Sequence, residues 1–163
     1  MRTSVSDELR EKAIFWIGQG DDPDRVDYLK GIYGQLKSEA LKDKVLFSIS
    51  QVEDRASQQW LLSVAGDQAE SIELRKKALF WAGQSGGNSP ELLALYEKMP
   101  NREMKEQLIF VYSQMDKKAA VDKLIQIART EQDKELRKKA IFWLSQSDDP
   151  RVAEFLASLL EKP

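Results

Sequence analysis

The sequence predicts an all-α protein, a right-handed α-solenoid of five tandem two-helix repeats with about ten helices. Two observations lead to this prediction. A twelve-residue motif recurs five times, and each copy spaces its apolar residues as one face of a helix requires. The chain also has only 8 glycines and 5 prolines in 163 residues, too few for the frequent turns of an all-β chain.

The five copies of the motif have a regular period. Their leading apolar residues lie 30 to 33 residues apart, and no copy contains a gap. The copies are ELREKAIFWIGQ from Glu8, ALKDKVLFSISQ from Ala40, ELRKKALFWAGQ from Glu73, EMKEQLIFVYSQ from Glu103 and ELRKKAIFWLSQ from Glu135. One unit of this length cannot bury an apolar face alone, so neighbouring units must stack.

Capping residues predict where the helices begin. The expected N-caps of the first helices are Ser6 or Asp7, Ser38, Ser71 and Asp133. The second helices should begin at Asp22-Pro23, Asp54, Ser89-Pro90, Asp116 and Asp149-Pro150. The resulting repeats cover 7–37, 38–70, 71–101, 102–132 and 133–163, and we expect them to form a single solenoid domain over 1–163.

This pattern resembles short HEAT repeats, similar to those of the phycobilisome-lyase type. The resemblance is carried by the Leu-Arg/Lys pair that opens the motif, its alanine, the late Leu-Gly/Ser and the Asp-Pro that opens the next helix. The chain lacks the Trp-Leu-Gly-Tyr pattern of tetratricopeptide repeats and the TPLH of ankyrin repeats. The resemblance implies a scaffold that binds a partner protein or peptide on the concave face, which the first helix lines.

Projection of the motif places three sets of residues away from the core, on the face expected to bind the partner. We call them the Phe, Gln and Lys columns. The columns are Phe15, Phe47, Phe80, Phe110 and Phe142; Gln19, Gln51, Gln84, Gln114 and Gln146; and Lys12, Lys44, Lys77 and Lys139, with Gln107 in the fourth copy. Three interpretations remain open. The columns bind a partner, or each Phe packs on the neighbouring repeat while each Gln caps a turn carbonyl, or the columns do both at once.

The core and the remaining charges are predicted from the same projection. The leading apolar residues and three tryptophans should be buried: Leu9, Leu41, Leu74, Met104, Leu136, Trp16, Trp81 and Trp143. The basic residues that follow the leading ones should reach turn acids such as Asp21, Asp54 or Asp116; they are Arg10, Lys42, Arg75, Lys105 and Arg137. Local ion pairs are expected at Glu8–Lys12, Glu73–Lys77 and Glu135–Lys139.

Composition argues against several functions. The chain has neither cysteine nor histidine, and it contains no GxSxG, HExxH or phosphate-binding glycine loop, since Gly86-Gly87 falls between two helices. We therefore predict no catalytic residue, metal site or cofactor. The acidic turns at Asp21, Asp22 and Asp24 and at Asp148 and Asp149 are better explained by capping than by cation binding.

The net charge of −2 argues against nucleic-acid binding, and no apolar run is long enough for membrane insertion. The alternatives left open are an enzyme or enzyme accessory of the repeat-containing lyase type and a nucleic-acid binder. The compartment is also open, either the cytoplasm or, for a fragment of a longer protein, the periplasm.

The two ends of the array are expected to differ. Ile14 projects onto the flank of the first helix where a preceding repeat would lie. We therefore expect this N-terminal edge to be exposed, so that either the natural protein continues upstream or the edge self-associates or meets another molecule. The last helix carries Val152, Phe155, Leu156, Leu159 and Leu160 on one side, and its charged residues are expected to solvate the other.

Overall fold

A computed structural model describes residues 5–85 and 89–161, and within these ranges it contains ten helices and no strand. The first helices of the repeats are α1 (Asp7–Gln19), α3 (Glu39–Ser50), α5 (Ile72–Gln84), α7 (Arg102–Gln114) and α9 (Lys134–Leu144). The second helices are α2 (Arg25–Gln35), α4 (Arg55–Gly66), α6 (Ser89–Lys98), α8 (Lys118–Thr130) and α10 (Pro150–Leu160). The predicted all-α solenoid of two-helix repeats is confirmed.

Side-chain caps begin the first helices. The hydroxyls of Ser6, Ser38 and Ser71 each accept a hydrogen bond from the amide three residues on, at 3.3 Å, and Asp133 caps α9 in the same way. Asn101 caps α7 through the amide of Met104 at 3.2 Å, a role that the sequence analysis missed. These bonds satisfy amides that have no partner within the helix.

The second helices follow the predicted caps less closely. Asp54 and Asp149 cap α4 and α10 as expected, with Pro150 in the first turn of α10. The predictions for Asp22 and Asp116 are wrong. The Asp22 carboxylate accepts from the Asp24 amide at 2.8 Å, which forms a turn ahead of α2, and the N-cap of α8 is Lys117. Helix α6 begins at Ser89, and the predicted turn at Gly86-Gly87 lies outside the described residues.

The chain forms two compact units, Met1–Asn88 and Ser89–Pro163. In the first unit, α1, α3 and α5 pack side by side, while α2 contacts α1 and α3, and α4 contacts α3 and α5. The buried leucines of these first helices form its core, and Leu41, Leu46, Leu74 and Leu79 are at most 1% exposed. The repeated leading leucine therefore has the core role that its spacing predicts.

The second unit repeats this arrangement with α7 and α9 packed together and α8 against both. Met104, Leu108 and Leu136 are buried, and the Tyr112 hydroxyl donates to the Leu92 carbonyl at 2.8 Å, which joins α7 to α6. The boundary between the units falls inside the third predicted repeat, between α5 and α6. The predicted repeat limits, the single domain and the hand of the superhelix stay predictions.

The first copy of the motif departs from the predicted core. Leu9 is 56% exposed and Trp16 is 69% exposed, whereas Ile14, predicted to be exposed, is only 3% exposed. Ile14 is in fact a core residue like Leu46 and Leu79 at the same motif position. An exposed apolar edge does exist on α1, but it is formed by other residues than the projection indicated.

The last helix is also less covered than expected. Val152 and Phe155 are buried, but Leu159 is 41% and Leu160 88% exposed. None of the helices in the described part of the chain is both long and apolar enough to cross a membrane.

Candidate functional site

The Gln and Lys columns lie at the surface throughout. All five glutamines of the motif and all four lysines are exposed. The Phe column is mixed, since Phe15 and Phe142 are 46% and 54% exposed while the other three rings are half-buried. Within the first unit, Phe15 and Phe47 line one pocket together with Lys12 and Lys44. The structure thus brings together two neighbouring members of the Phe and Lys columns there.

Tryptophan rings explain why the central phenylalanines are half-buried. The Trp81 ring lies 4.9 Å from the Phe47 ring of the preceding repeat and 5.0 Å from the Phe80 ring of its own helix. In the second unit, Trp143 repeats this contact with Phe110 at 5.2 Å and Phe142 at 5.0 Å. Three of these contacts are edge-to-face, the Phe110–Trp143 pair is tilted, and such ring pairs are stabilising. Trp81 and Trp143 therefore bridge phenylalanines of successive repeats rather than fill the core, which corrects the prediction for them.

An acidic side chain also contacts the Trp81 indole. The indole Nε1 donates to the Asp43 carboxylate at 3.0 Å, and Lys77 pairs with the other carboxylate oxygen at 3.5 Å. Asp43, Phe47, Lys77 and Trp81 thus form one cluster between α3 and α5, at the surface that carries the three columns. The cluster thus combines three half-buried side chains with an exposed lysine, and the binding role of the columns stays a prediction.

Three members of the Gln column are held locally by a serine. The Gln51, Gln114 and Gln146 side-chain amides donate to the hydroxyl of the preceding serine at 3.2 to 3.3 Å. Each serine in turn donates to the carbonyl of the phenylalanine one helical turn before it. The amides therefore contact side-chain hydroxyls rather than turn carbonyls, while their side chains remain exposed.

The lysines only partly follow the predicted pairing. Lys12 pairs with Glu8 at 3.2 Å as expected. Glu73 and Glu135 instead contact Lys76 and Lys138, one residue before the predicted lysines, at 3.8 and 3.3 Å. Residues three apart also lie on the same face of a helix, so each glutamate still pairs with a lysine of its own helix.

Three of the basic residues at the second motif position contact groups of the preceding repeat, and these contacts are not with Asp21, Asp54 or Asp116. Arg75 is buried, and its Nε donates to the Ala65 carbonyl at 2.9 Å. Lys42 pairs with Glu70 at 3.2 Å and lies over the Tyr33 ring. In the second unit Lys105 lies over Tyr96 in the same way. Arg10 instead pairs with Asp7 on its own helix.

Each unit contains a cluster of tyrosine, glutamate and lysine. The Tyr33 hydroxyl donates to Glu70 at 2.7 Å, and the Tyr96 hydroxyl donates to Glu131. Burial and the hydrogen bond to the carboxylate raise the pKa of each tyrosine far above its usual range. Burial also acts to raise the pKa of Glu70, but the hydrogen bonds from Tyr33, the Ser71 amide and Lys42 outweigh it and lower that pKa. These clusters are structural contacts that tie helix pairs together.

The acidic turns act in capping and ion pairing. Arg151 donates to Asp149, and these hydrogen bonds lower the pKa of that carboxyl. No group of acidic side chains in the described residues is arranged to hold a metal ion. Asp149 also lines a 590 Å³ cavity in the second unit, together with Gln114 of α7, Trp143 of α9 and Gln146, which follows α9. Two members of the Gln column therefore line this cavity, among mixed polar and apolar groups.

The family model for HEAT repeats matches residues 89–163. No curated protein matches the chain. The matched segment contains the last two complete copies of the motif, and the first three copies share its leucine, phenylalanine and glutamine positions. The likeness to phycobilisome-lyase repeats stays a sequence-based expectation. The second unit is thus similar to HEAT repeats, and both units are built of helix pairs, as such repeats are.

Proposed function

We propose that this chain is a protein-interaction scaffold and not an enzyme, and that its partner, a protein or peptide, binds across the first-helix face formed by the Phe, Gln and Lys columns. HEAT repeats are commonly scaffolds of this kind. The observation that supports this site is the exposure of every glutamine and lysine of the columns at a fixed place in each copy. Exposed amides can pair with the backbone of a partner, and the rings beside them supply apolar contact area.

The charges of this face favour a protein partner over nucleic acid. Lys12 and Lys77 each contact a carboxylate, at 3.2 and 3.5 Å, so the face presents paired charges of both signs. Phosphate binding depends on clustered unpaired cations and weakens steeply with salt. We expect no retention of DNA or RNA by micromolar protein near 150 mM salt, measured by gel shift. A complex that survives this salt concentration would favour the nucleic-acid alternative.

Site-specific photo-crosslinking tests the proposed face. A photoreactive amino acid is placed at Gln51 or Gln84 in the columns, and at Gln59 or Gln68 as matched controls, since all four glutamines are exposed and only the first two lie in the motif. In extracts of the source cells, we expect the same discrete protein adduct from both column positions. Adducts that form equally at the control positions, or none at the column positions, would contradict the proposal.

A further inference from the structure

The pocket between Phe15 and Phe47 lies where the motif lacks its tryptophan. It has a volume of 240 Å³, is mainly apolar, and lies between α1 and α3. Its lining residues are Glu11, Lys12, Phe15, Lys44, Phe47 and Ser48. Ser48 occupies the position that Trp81 occupies in α5. The pocket is thus an unfilled member of a repeated arrangement of rings.

The filled site at Trp81 shows what the pocket is shaped to hold. There, Phe47 and Phe80 contact the indole on two sides, Asp43 accepts its N–H at 3.0 Å, and Lys77 pairs with Asp43. One repeat earlier, Phe15 and Phe47 correspond to the two phenylalanines, Glu11 to the acid and Lys44 to the lysine. Each of these four side chains at Trp81 therefore has a counterpart in the pocket.

Close packing of the backbones explains why residue 48 is small. A Cβ on Gly18 would lie 2.9 Å from the Ser48 Cβ, so α1 and α3 approach closely at this point. This approach does not explain why the acid and the lysine are both present. In the fourth copy, Val111 replaces the tryptophan, Lys76 stands at the preceding acid position and Gln107 at the lysine position. The charged pair is lost there together with the indole, whereas at Ser48 it remains.

We propose that this pocket binds an indole side chain supplied by a partner protein, with the indole N–H donated to the Glu11 carboxylate. The inference rests on the proposed function and identifies the partner side chain that would anchor the partner on the first-helix face. An apolar cavity of about 150 Å³ accepts benzene, so 240 Å³ provides room for the larger indole. Tryptophan is also enriched among the residues that dominate binding energy at interfaces.

The test uses N-acetyl-5-fluorotryptophan amide as the probe and fluorine NMR of the intact protein. The probe should bind the parent, and Phe15→Ala should abolish most of that binding. Glu11→Gln should weaken it about two- to tenfold, the effect of one hydrogen bond. The corresponding 4-fluorophenylalanine amide has no N–H to donate, so it should bind less tightly and be insensitive to Glu11→Gln. Gln59→Ala, at an exposed position outside both the pocket and the three columns, is the matched control and should leave binding unchanged.

Two results would overturn the inference: absence of probe binding to the parent, or binding that Phe15→Ala and Glu11→Gln both leave unchanged. Ser48→Trp provides a further variant in which the chain fills its own pocket and the probe should be excluded. If that variant fails to fold, Phe15→Ala and Glu11→Gln still decide the question. Crosslinking at Gln51 and Gln84 tests the proposed function separately. Partner adducts at these positions without probe binding would show that the face binds a partner and that the pocket does not bind an indole.

Discussion

Helices α1 and α5 carry almost the same motif and have very different surroundings. ELREKAIFWIGQ and ELRKKALFWAGQ share their leucine, basic, phenylalanine and tryptophan positions. Yet Leu9 is 56% exposed and Leu74 is 1% exposed, and Trp16 is 69% exposed while Trp81 is half-buried. Only α5 lies beside preceding helices, α3 and α4, that cover these positions. In this chain, burial of a motif residue depends on the neighbouring repeat as much as on the motif.

The leading leucine should show the largest difference between the two helices. We expect Leu74→Ala to lower the free energy of unfolding by roughly 2–5 kcal/mol, because it removes a fully buried side chain and leaves a cavity. Leu9→Ala should change it by no more than about 0.5 kcal/mol, as for other exposed positions. Phe80→Ala should fall between them because its ring is half-buried. Urea unfolding followed by circular dichroism measures all three, and equal losses at Leu9 and Leu74 would contradict the comparison.

The basic residue that follows should show the next largest difference. Arg75→Ala leaves the Ala65 carbonyl without its hydrogen bond and should cost about 1–3 kcal/mol. Arg10→Ala removes an exposed pair with Asp7 on the same helix and should cost less than about 0.5 kcal/mol. The same urea unfolding experiment compares them. An Arg10 variant as unstable as the Arg75 variant would indicate that α1 is covered in solution by something else.

The tryptophans allow a smaller and more specific comparison. Trp81→Phe removes the N–H that Asp43 accepts and should cost about 1 kcal/mol. Trp16→Phe, at an exposed position, should cost nearly nothing. Acrylamide quenching in single-tryptophan variants provides a second measurement, in which Trp16 should be quenched more strongly than Trp81. Equal quenching of the two would mean that Trp16 is covered in solution.

Periodicity and capping predicted the local structure well, because both depend on residues a few positions apart. The N-caps Ser6, Ser38 and Ser71 and the buried Leu41 and Leu74 follow from such local rules. The cap at Asn101 was also detectable, since its carboxamide stands three residues before Met104. The wrong cap at Asp22 arose because its carboxylate closes a turn with the Asp24 amide instead. The choice between these two local bonds is not evident from the sequence pattern.

The candidate site was less predictable because its contacts join residues that are far apart in the chain. Trp81 meets Asp43 and Phe47 from another repeat, and Tyr33 meets Glu70. A helical projection assigns a residue to a direction and does not show what lies there. It therefore treated Trp16 and Trp81 alike, and it placed Ile14 at an edge although neighbouring helices cover it. The repeat period offered one usable signal, the co-occurrence of an acid in one copy with tryptophan in the next.

The smallest expected effect is a pH dependence of stability at the second motif position. There Lys42 contacts Glu70 and Tyr33, whereas Arg10 pairs with Asp7 on its own helix. The pKa of Glu70 is lower in the folded protein than in the unfolded chain. Its contribution to stability is therefore present above the usual glutamate pKa, near 4.3, and is lost as the pH falls through the lower folded value. Tyr33→Phe removes the hydrogen bond from the hydroxyl to Glu70, so the folded pKa should move toward the usual value.

The Tyr33→Phe variant should therefore be about 1 kcal/mol less stable than the parent at pH 7. The difference in stability between the variant and the parent should shrink as the pH approaches 3. Glu70 becomes protonated there, and a neutral carboxyl gains less from the Tyr33 hydroxyl than a carboxylate does. Tyr28→Phe, in the same helix but with an exposed ring, is the matched control and should show neither effect. Thermal unfolding of the three proteins at pH 7, 5 and 3 measures the trend. A constant difference between Tyr33→Phe and the parent at all three pH values would show that packing of the hydroxyl, rather than the bond to ionised Glu70, accounts for the loss.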